Sequence, residues 1–270
     1  MTNLNNIFDR LWDDYTKQNP SVLRIYNLFA NEGEMVENDH IAFRTFDDPR
    51  IDIDVLAKPF IQAGYVFKGD YHFTEKHLYA KHFECDGAPR VFISALRTKD
   101  FSKLLQQKVT ETVDKIPAEM LQSDALIYSG SVWGTVSYED YELLRQESEY
   151  AAWLLVNGFR ANHFTVSVNS LKKFHTVEKV NQFISGNGFR INDSGGEIKG
   201  TPAELLEQSS TRSEPIEMEF VEGMKEIPGC YYEFARRYTD QDGKLYSGFI
   251  AKSADKIFES TNAIKKLKLF

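Results

Sequence analysis

The sequence is poor in cysteine and has no long apolar run, and each shortage excludes a class of protein. Two cysteines, Cys85 and Cys230, cannot build a disulfide framework, and they indicate a reducing compartment. No apolar run approaches the roughly 18–20 residues that cross a bilayer, and residues 1–15 lack the basic leader and apolar stretch of a signal peptide. We therefore expect a cytoplasmic protein without a membrane partner.

Basic residues are also outnumbered, with 32 Lys and Arg against 40 Asp and Glu and a net charge of −8. A surface that binds nucleic acid needs a basic excess to displace counterions, so we expect no nucleic-acid partner. The Walker loop, the Rossmann glycine fingerprint, the Gly-x-Ser-x-Gly elbow and the Cys-x-x-Cys pair are missing too. The chemistries of ATP, dinucleotides and an acyl-serine therefore have no support.

Enough apolar residues are present for one substantial core, since hydrophobic residues make up 42% of the chain. Apolar positions at helical spacing predict two packed helices before residue 39 and a helical insertion over 98–158. Within that insertion, Ser137 lies three residues before Asp140 and predicts the start of a long helix that ends at Gly158. A C-terminal helix is predicted over 251–270.

Two strand-rich regions, 39–97 and 159–250, repeat each other in outline. In each, a short strand carrying a histidine is followed by a helical patch and then by further strands, which predicts two β-α-β-β-β modules. The second module is expected to hold strands at 188–191, 217–221 and 230–238, the last pairing with 245–250. The predicted fold is α+β, a single domain over 1–270 whose two modules share one sheet, with added N-terminal and central helices.

Three side chains of these strands could bind a metal. His40 and His163 occupy matching positions, and each follows a side chain that could orient an imidazole, Asp39 or Asn162. A single histidine on a strand is usually structural, but the equivalence of these two favours a shared role. Glu233 lies in an apolar strand, where burial without a partner would cost several kcal/mol. Two histidines and one carboxylate form the ligand set of a non-haem Fe(II) facial triad.

Strand geometry predicts a substrate-binding cation beside that metal. Arg44 shares the face of His40 and lies roughly 13 Å further along an ideal strand, so its guanidinium could meet a carboxylate about 6–7 Å from the metal. That gap fits a dicarboxylic acid of about five or six carbons whose other end chelates the metal. Arg237, four residues after Glu233, is a second candidate by the same argument. A surface ion pair is the ordinary alternative for either arginine.

Four short strings together resemble the 2-oxoadipate dioxygenase/decarboxylase family. They are HIAFRTF at 40–46, NHFT at 162–165, YEF at 232–234 and FIAKSADKIFES at 249–260. The resemblance implies a fold related to the vicinal oxygen chelate enzymes, in which the two modules form a curved sheet or half-barrel. It also implies an Fe(II) held by His40, His163 and Glu233, with Zn or Mn possible in its place.

The resemblance further implies a substrate site and a reaction. Arg44 would bind a substrate carboxylate, and Lys252 and Ser253 would add contacts, with Ser253 opening the C-terminal helix. The implied reaction converts 2-oxoadipate and O2 to 2-hydroxyglutarate and CO2, a step of lysine catabolism. One alternative is a metal-dependent hydrolase or isomerase on the same scaffold. The other is a non-enzymatic module that binds small molecules.

Overall fold

One eight-stranded sheet carries both strand-rich regions in the computed structural model, which describes residues 4–261. The helices are α1 (Leu4–Gln18), α2 (Pro20–Asn31), α3 (Ile53–Gln62), α4 (Lys103–Val113), α5 (Ala118–Leu121), α6 (Tyr138–Glu147), α7 (Glu149–Asn157), α8 (Val177–Gly186) and α9 (Ala251–Phe258). The strands are β1 (Asn38–Phe46), β2 (Val66–Phe73), β3 (Leu78–Glu84), β4 (Arg90–Leu96), β5 (Ala161–Ser167), β6 (Lys199–Thr201), β7 (Leu206–Ser210), β8 (Pro215–Phe220), β9 (Gly223–Pro228) and β10 (Glu233–Arg237). Short turns of 3-10 helix cover Thr98–Asp100, Asp124–Tyr128, Val168–Ser170, Pro202–Glu204 and Glu259–Thr261.

The order of the strands in the main sheet is β2-β3-β4-β1-β5-β10-β7-β6. β1 pairs in parallel with β4, and β5 pairs in parallel with β10, whereas β1 and β5 are antiparallel to each other. The two halves of the sheet, on either side of the central β1–β5 pair, are therefore arranged in a similar way. This order confirms that the two halves share one sheet, and it places β1, β5 and β10 side by side at the centre.

Helices cover one face of the central strands. Trp12 and Tyr15 of α1 pack on Phe164 of β5, with ring centres 5.0 and 5.1 Å apart, and α2 packs beside α1. Because side chains alternate along a strand, His163 and Thr165 extend from the opposite face of β5. The apolar core therefore packs on the helix-covered face of the sheet, and the polar side chains of β5 lie on the other face. Within residues 4–261, no helix is both long enough and apolar enough to cross a membrane.

The second half of the sheet differs from the predicted one in three places. Residues 188–191 form no strand, and Ile191 makes only an isolated bridge with Thr211. The strand predicted at 217–221 is β8, which pairs with β9 in a separate hairpin. Residues 246–250 are irregular because the carbonyls of Tyr246 and Gly248, which a strand would use in its ladder, accept hydrogen bonds from Arg237 at 3.1 and 2.7 Å.

The long helix predicted from Ser137 to Gly158 is two helices. Its start is confirmed, since the Ser137 hydroxyl accepts from the Asp140 N–H at 3.0 Å. At Ser148 the backbone leaves the helical region, with φ −152° and ψ 107°, and the hydroxyl caps α7 by accepting from the Ala151 N–H at 3.1 Å. A serine whose hydroxyl competes for a backbone amide in this way ends one helix and begins the next. Residues 262–270 of the predicted C-terminal helix lie outside the described residues.

Candidate metal centre

Three buried side chains converge where the central strands meet. His40 of β1, His163 of β5 and Glu233 of β10 each offer one ligand atom within 4.8 Å of the others. Glu233 Oε2 lies 3.1 Å from His163 Nε2, and Glu233 Oε1 lies 3.5 Å from His40 Nε2. The order β1-β5-β10 brings together residues that are far apart in the chain. The three residues selected from the sequence therefore do form one cluster.

Each imidazole is oriented by the residue before it. His40 Nδ1 lies 2.8 Å from Asp39 Oδ1, and His163 Nδ1 lies 3.0 Å from Asn162 Oδ1. Carboxylate and amide oxygens accept hydrogen bonds, so each Nδ1 carries a proton and donates it. Both Nε2 atoms therefore have lone pairs on the side of Glu233, and that of His40 also lies 3.1 Å from the Thr165 hydroxyl.

Lone pairs facing a carboxylate are unfavourable unless a positive charge lies between them. His163 Nε2 makes no hydrogen bond to any of the described residues, and burial lowers the pKa of His163, which disfavours a second proton. Burial alone would raise the pKa of Glu233, but the neighbouring imidazoles of His163 and His40 and a hydrogen bond from Gln208 lower it overall. An ionised carboxylate and two imidazole lone pairs fit a divalent metal ion, and the N, N, O donor set is that of a facial triad.

Arg237 forms a buried ion pair behind His40. Its Nε and Nη2 donate to the two carboxylate oxygens of Asp39 at 2.7 and 2.9 Å. Burial alone would raise the pKa of Asp39, but the charge of Arg237 holds it far below its usual range. The remaining nitrogen, Nη1, donates to the carbonyls of Tyr246 and Gly248. Its guanidinium therefore fixes Asp39 and the segment 246–250, and contact of Arg237 with substrate remains a prediction.

Arg44 is also buried, but no carboxylate of the described residues pairs with it. Its side chain is enclosed by aromatic rings, with the guanidinium carbon 4.8, 4.9 and 5.9 Å from the ring centres of Tyr150, Trp153 and Phe258. Its Nε and Nη1 make no hydrogen bond within residues 4–261. Arg44 lines a cavity of about 310 Å³ with Tyr150 and Phe258. A buried cation without an anion is costly, so this arrangement favours an anionic ligand.

Comparison with known proteins shows the family of the chain. The family model of 2-oxoadipate dioxygenase/decarboxylase matches residues 3–244. The chain belongs to this family. The chloroplastic 2-oxoadipate dioxygenase/decarboxylase of Arabidopsis thaliana is 35% identical over 281 residues, which cover 92% of this chain and 74% of that protein.

Solved structures of the dioxygenase/decarboxylase family and its relatives share the fold. Hydroxyglutarate synthase from Oryza sativa, crystallised with 2-oxoadipate, matches with a TM-score of 0.89 at 33% identity, over 95% of this chain and 91% of that one. A Shewanella frigidimarina protein, provisionally described as a hydrolase, matches with a TM-score of 0.87 at 47% identity, over 93% and 99%. A protein assigned to the glyoxalase superfamily from Ralstonia eutropha has a TM-score of 0.69 at 18% identity, over 88% and 83%, and shows the fold alone. The predicted curved half-barrel sheet with added helices is thus confirmed.

In this member of the dioxygenase/decarboxylase family, Lys252 and Ser253 lie within the first turn of α9. The N-cap is Ile250, whose carbonyl accepts from the Ser253 N–H at 3.0 Å. The prediction that Ser253 opens the helix is wrong, because Ala251 is already helical. Ser253 is buried and Lys252 is exposed, and their contacts with substrate remain a prediction.

Three further residues of the site were missed in the sequence. Gln208 of β7 donates to Glu233 Oε1 at 2.5 Å, the ring of Phe249 lies 4.8 Å from that of His40, and the ring of Tyr231 stacks on that of His163 at 4.7 Å. Gln208 and Phe249 reach the site through the strand order and the irregular segment, which no local pattern predicts. Tyr231 could have been found, since it lies two residues before Glu233 on the same face of an extended chain.

Proposed function

We propose that this protein is an Fe(II)-dependent dioxygenase that decarboxylates 2-oxoadipate, giving 2-hydroxyglutarate and CO2. The observation that carries the proposal is the buried Arg44 without an anion, in the same face of the sheet as the His40, His163 and Glu233 cluster. The names of the curated relatives and the 2-oxoadipate in the rice structure support the same substrate. A 2-oxo dicarboxylate has one end that chelates a metal and another that can pair with an arginine.

The side chains around the cluster would prepare the site before O2 arrives. His40, His163 and Glu233 would hold the metal, while Asp39 and Asn162 keep the imidazole protons on Nδ1. A bound Fe(II) would supply a Lewis acid for the 2-oxo acid and a redox-active centre for O2. The three remaining positions of a facial set suffice for a bidentate substrate and O2.

Arg44, Tyr231 and Phe249 would position the substrate and exclude water. Arg44 would fix the distal carboxylate through two parallel hydrogen bonds, which holds the 2-oxo end in a single orientation. Tyr231 and Phe249 cover the histidines with apolar surface. The reaction requires no separate reductant, because the oxidative loss of CO2 from 2-oxoadipate supplies the electrons that reduce O2. Both oxygen atoms of O2 remain in the products.

An oxygen electrode tests the reaction directly. After anaerobic loading with Fe(II), the protein should consume O2 and 2-oxoadipate and release CO2 and 2-hydroxyglutarate in equal amounts. 2-Oxoglutarate, which is one methylene shorter, should react more slowly because it cannot reach the metal and Arg44 together. Glu233→Gln, which removes the anionic ligand but keeps the side-chain volume, is the inactive control.

The rival activities give different results in the same assay. Turnover without O2 would favour a hydrolase, the class provisionally given to the Shewanella relative, or an isomerase. Binding of 2-oxoadipate without any turnover would favour a non-enzymatic binding module. Equal rates on both diacids would leave the chemistry intact and contradict the role of Arg44 in selecting the chain length.

A further inference from the structure

A second buried polar group lies beside Arg44 and has no partner of its own. Tyr231 is 0% exposed, and its hydroxyl forms no hydrogen bond of good geometry with any group in residues 4–261. Burial raises the pKa of Tyr231 well above its usual value, and the adjacent Arg44 opposes that rise through its charge and through a hydrogen-bond contact with the phenol oxygen. The phenol O–H still has no acceptor, and a buried donor without an acceptor is destabilising. Its place beside Arg44 puts this donor where an anion bound by Arg44 could accept it.

The ring of Tyr231 is held so that the hydroxyl cannot turn away to find another partner. It stacks on the His163 imidazole with ring centres 4.7 Å apart and planes 28° apart. The backbone is fixed as well, because the Tyr231 carbonyl accepts a hydrogen bond from the hydroxyl of Tyr15. The phenol thus extends from a candidate metal ligand towards Arg44.

The unpaired atoms of the two residues match the acceptors of one carboxylate. Arg44 contributes Nη1, which forms one end of the guanidinium together with Nη2, and Tyr231 contributes its O–H. A carboxylate has two oxygens with about four lone-pair positions, enough for two hydrogen bonds from that end of an arginine and a third from a phenol. A neutral apolar group in the same place would leave the buried Nη1 and O–H donors unpaired.

We propose that Tyr231 determines substrate specificity by donating a third hydrogen bond to the distal carboxylate that Arg44 binds. The inference rests on the proposed function in that it takes the ligand to be a 2-oxo dicarboxylate. It assigns to Tyr231 the selection of diacids over monoacids, through a hydroxyl whose ring also contacts His163. The stacked ring would remain in place if the hydroxyl were removed.

Tyr232 provides a matched control in the next position. It is also 0% exposed, and its hydroxyl likewise makes no hydrogen bond to the described residues. Its ring lies among Trp12 and Phe234, 6.1 and 5.6 Å away, on the helix-covered side of the sheet. Tyr231→Phe and Tyr232→Phe therefore each remove one buried phenol hydroxyl, the first beside Arg44 and the second away from it.

The test compares these two variants, loaded with Fe(II), on 2-oxoadipate and on 2-oxohexanoate, which has the same carbon chain without the distal carboxylate. Tyr231→Phe should raise the KM for 2-oxoadipate about tenfold or more, the loss expected for a hydrogen bond to a charged group. Its kcat/KM for 2-oxohexanoate should equal that of the wild type. Tyr232→Phe should leave both substrates unaffected, and both variants should retain their metal and unfold at or above the wild-type temperature.

Two results would overturn the inference. One is a Tyr231→Phe enzyme indistinguishable from Tyr232→Phe, and the other is an equal loss on both substrates, which would indicate a structural role. Anaerobic calorimetry of 2-oxoadipate binding separates this inference from the proposed function. If the wild type binds 2-oxoadipate but consumes no O2, the proposed function fails and the affinities of the two variants still decide the role of Tyr231. If the wild type binds no 2-oxoadipate, both proposals fail.

Discussion

Arg44 combines a charge with a shape that lysine cannot supply. The guanidinium is planar, lies among three aromatic rings and can donate two parallel hydrogen bonds, whereas an ammonium is a compact point charge. Arg44→Lys should therefore raise the KM for 2-oxoadipate about tenfold to a hundredfold while the metal content stays unchanged. Steady-state kinetics and iron analysis check this. Arg50→Lys, at a surface pair with Asp48 and Asp114, is the control, and an unchanged KM in Arg44→Lys would remove Arg44 from the substrate site.

Asn162 acts on the metal through His163. Asn162→Ala removes the acceptor that holds the Nδ1 proton, so the imidazole loses its fixed tautomer and orientation. We expect the metal dissociation constant to rise about tenfold to a hundredfold, as is usual when the partner of a ligating histidine is lost. A metal-binding titration measures this. Asn187→Ala, at the exposed end of α8, is the control, and equal affinities for all three proteins would show that Asn162 does not orient a ligand.

At this scale, the sequence identifies the candidate ligands better than it identifies the arginines. His40 and His163 stand out because two equivalent strands repeat a histidine after an orienting residue. The same spacing argument applies equally to Arg44 and Arg237. What separates them is Asp39, which lies 198 residues from Arg237 in the chain and takes up its charge. A contact of this range depends on the strand order, which no local pattern contains.

Among the helices, the break at Ser148 shows how one side chain changes the course of the chain. Ser148→Ala removes the cap of α7 and should lower the free energy of unfolding by about 1 kcal/mol. Ser148→Thr retains an oxygen for the Ala151 N–H and should lose less. Chemical denaturation of the three proteins measures the difference. Equal stability of Ser148→Ala and the wild type would mean that packing alone sets the break.

The same break explains why one long helix was predicted from the sequence. Apolar residues continue at helical spacing on both sides of Ser148, and a serine inside a helix is only mildly unfavourable. The hydroxyl of Ser148 decides the outcome through a backbone amide of the following turn. The strand predicted at 245–250 is confirmed only where Leu245 bridges Thr239; beyond it, Arg237 binds the carbonyls of Tyr246 and Gly248. Local patterns predict most elements here, but a side chain that competes for backbone groups can change them.

Over the whole molecule, the candidate metal ligands come from both halves of the sheet. His40 belongs to the first module, and His163 and Glu233 belong to the second. A metal held by all three would therefore join the modules across the central β1–β5 pair. It would also remove the repulsion between Glu233 and the lone pairs of the imidazoles, so the folded chain should bind the metal far more tightly than the unfolded chain does.

This arrangement predicts a metal-dependent melting temperature. A ligand at a hundred times its dissociation constant stabilises a folded protein by about 2.7 kcal/mol, which corresponds to roughly 5–10 °C for a chain of this size. Adding Fe(II), Mn(II) or Zn(II) to chelator-treated protein should raise the melting temperature by that amount, and more chelator should reverse the rise. His163→Ala should show no rise, because one ligand of the cluster is lost. His77→Ala, at an exposed histidine paired with Asp100, should retain the full effect. An equal rise in His163→Ala would place the metal elsewhere and contradict a centre that joins the two modules.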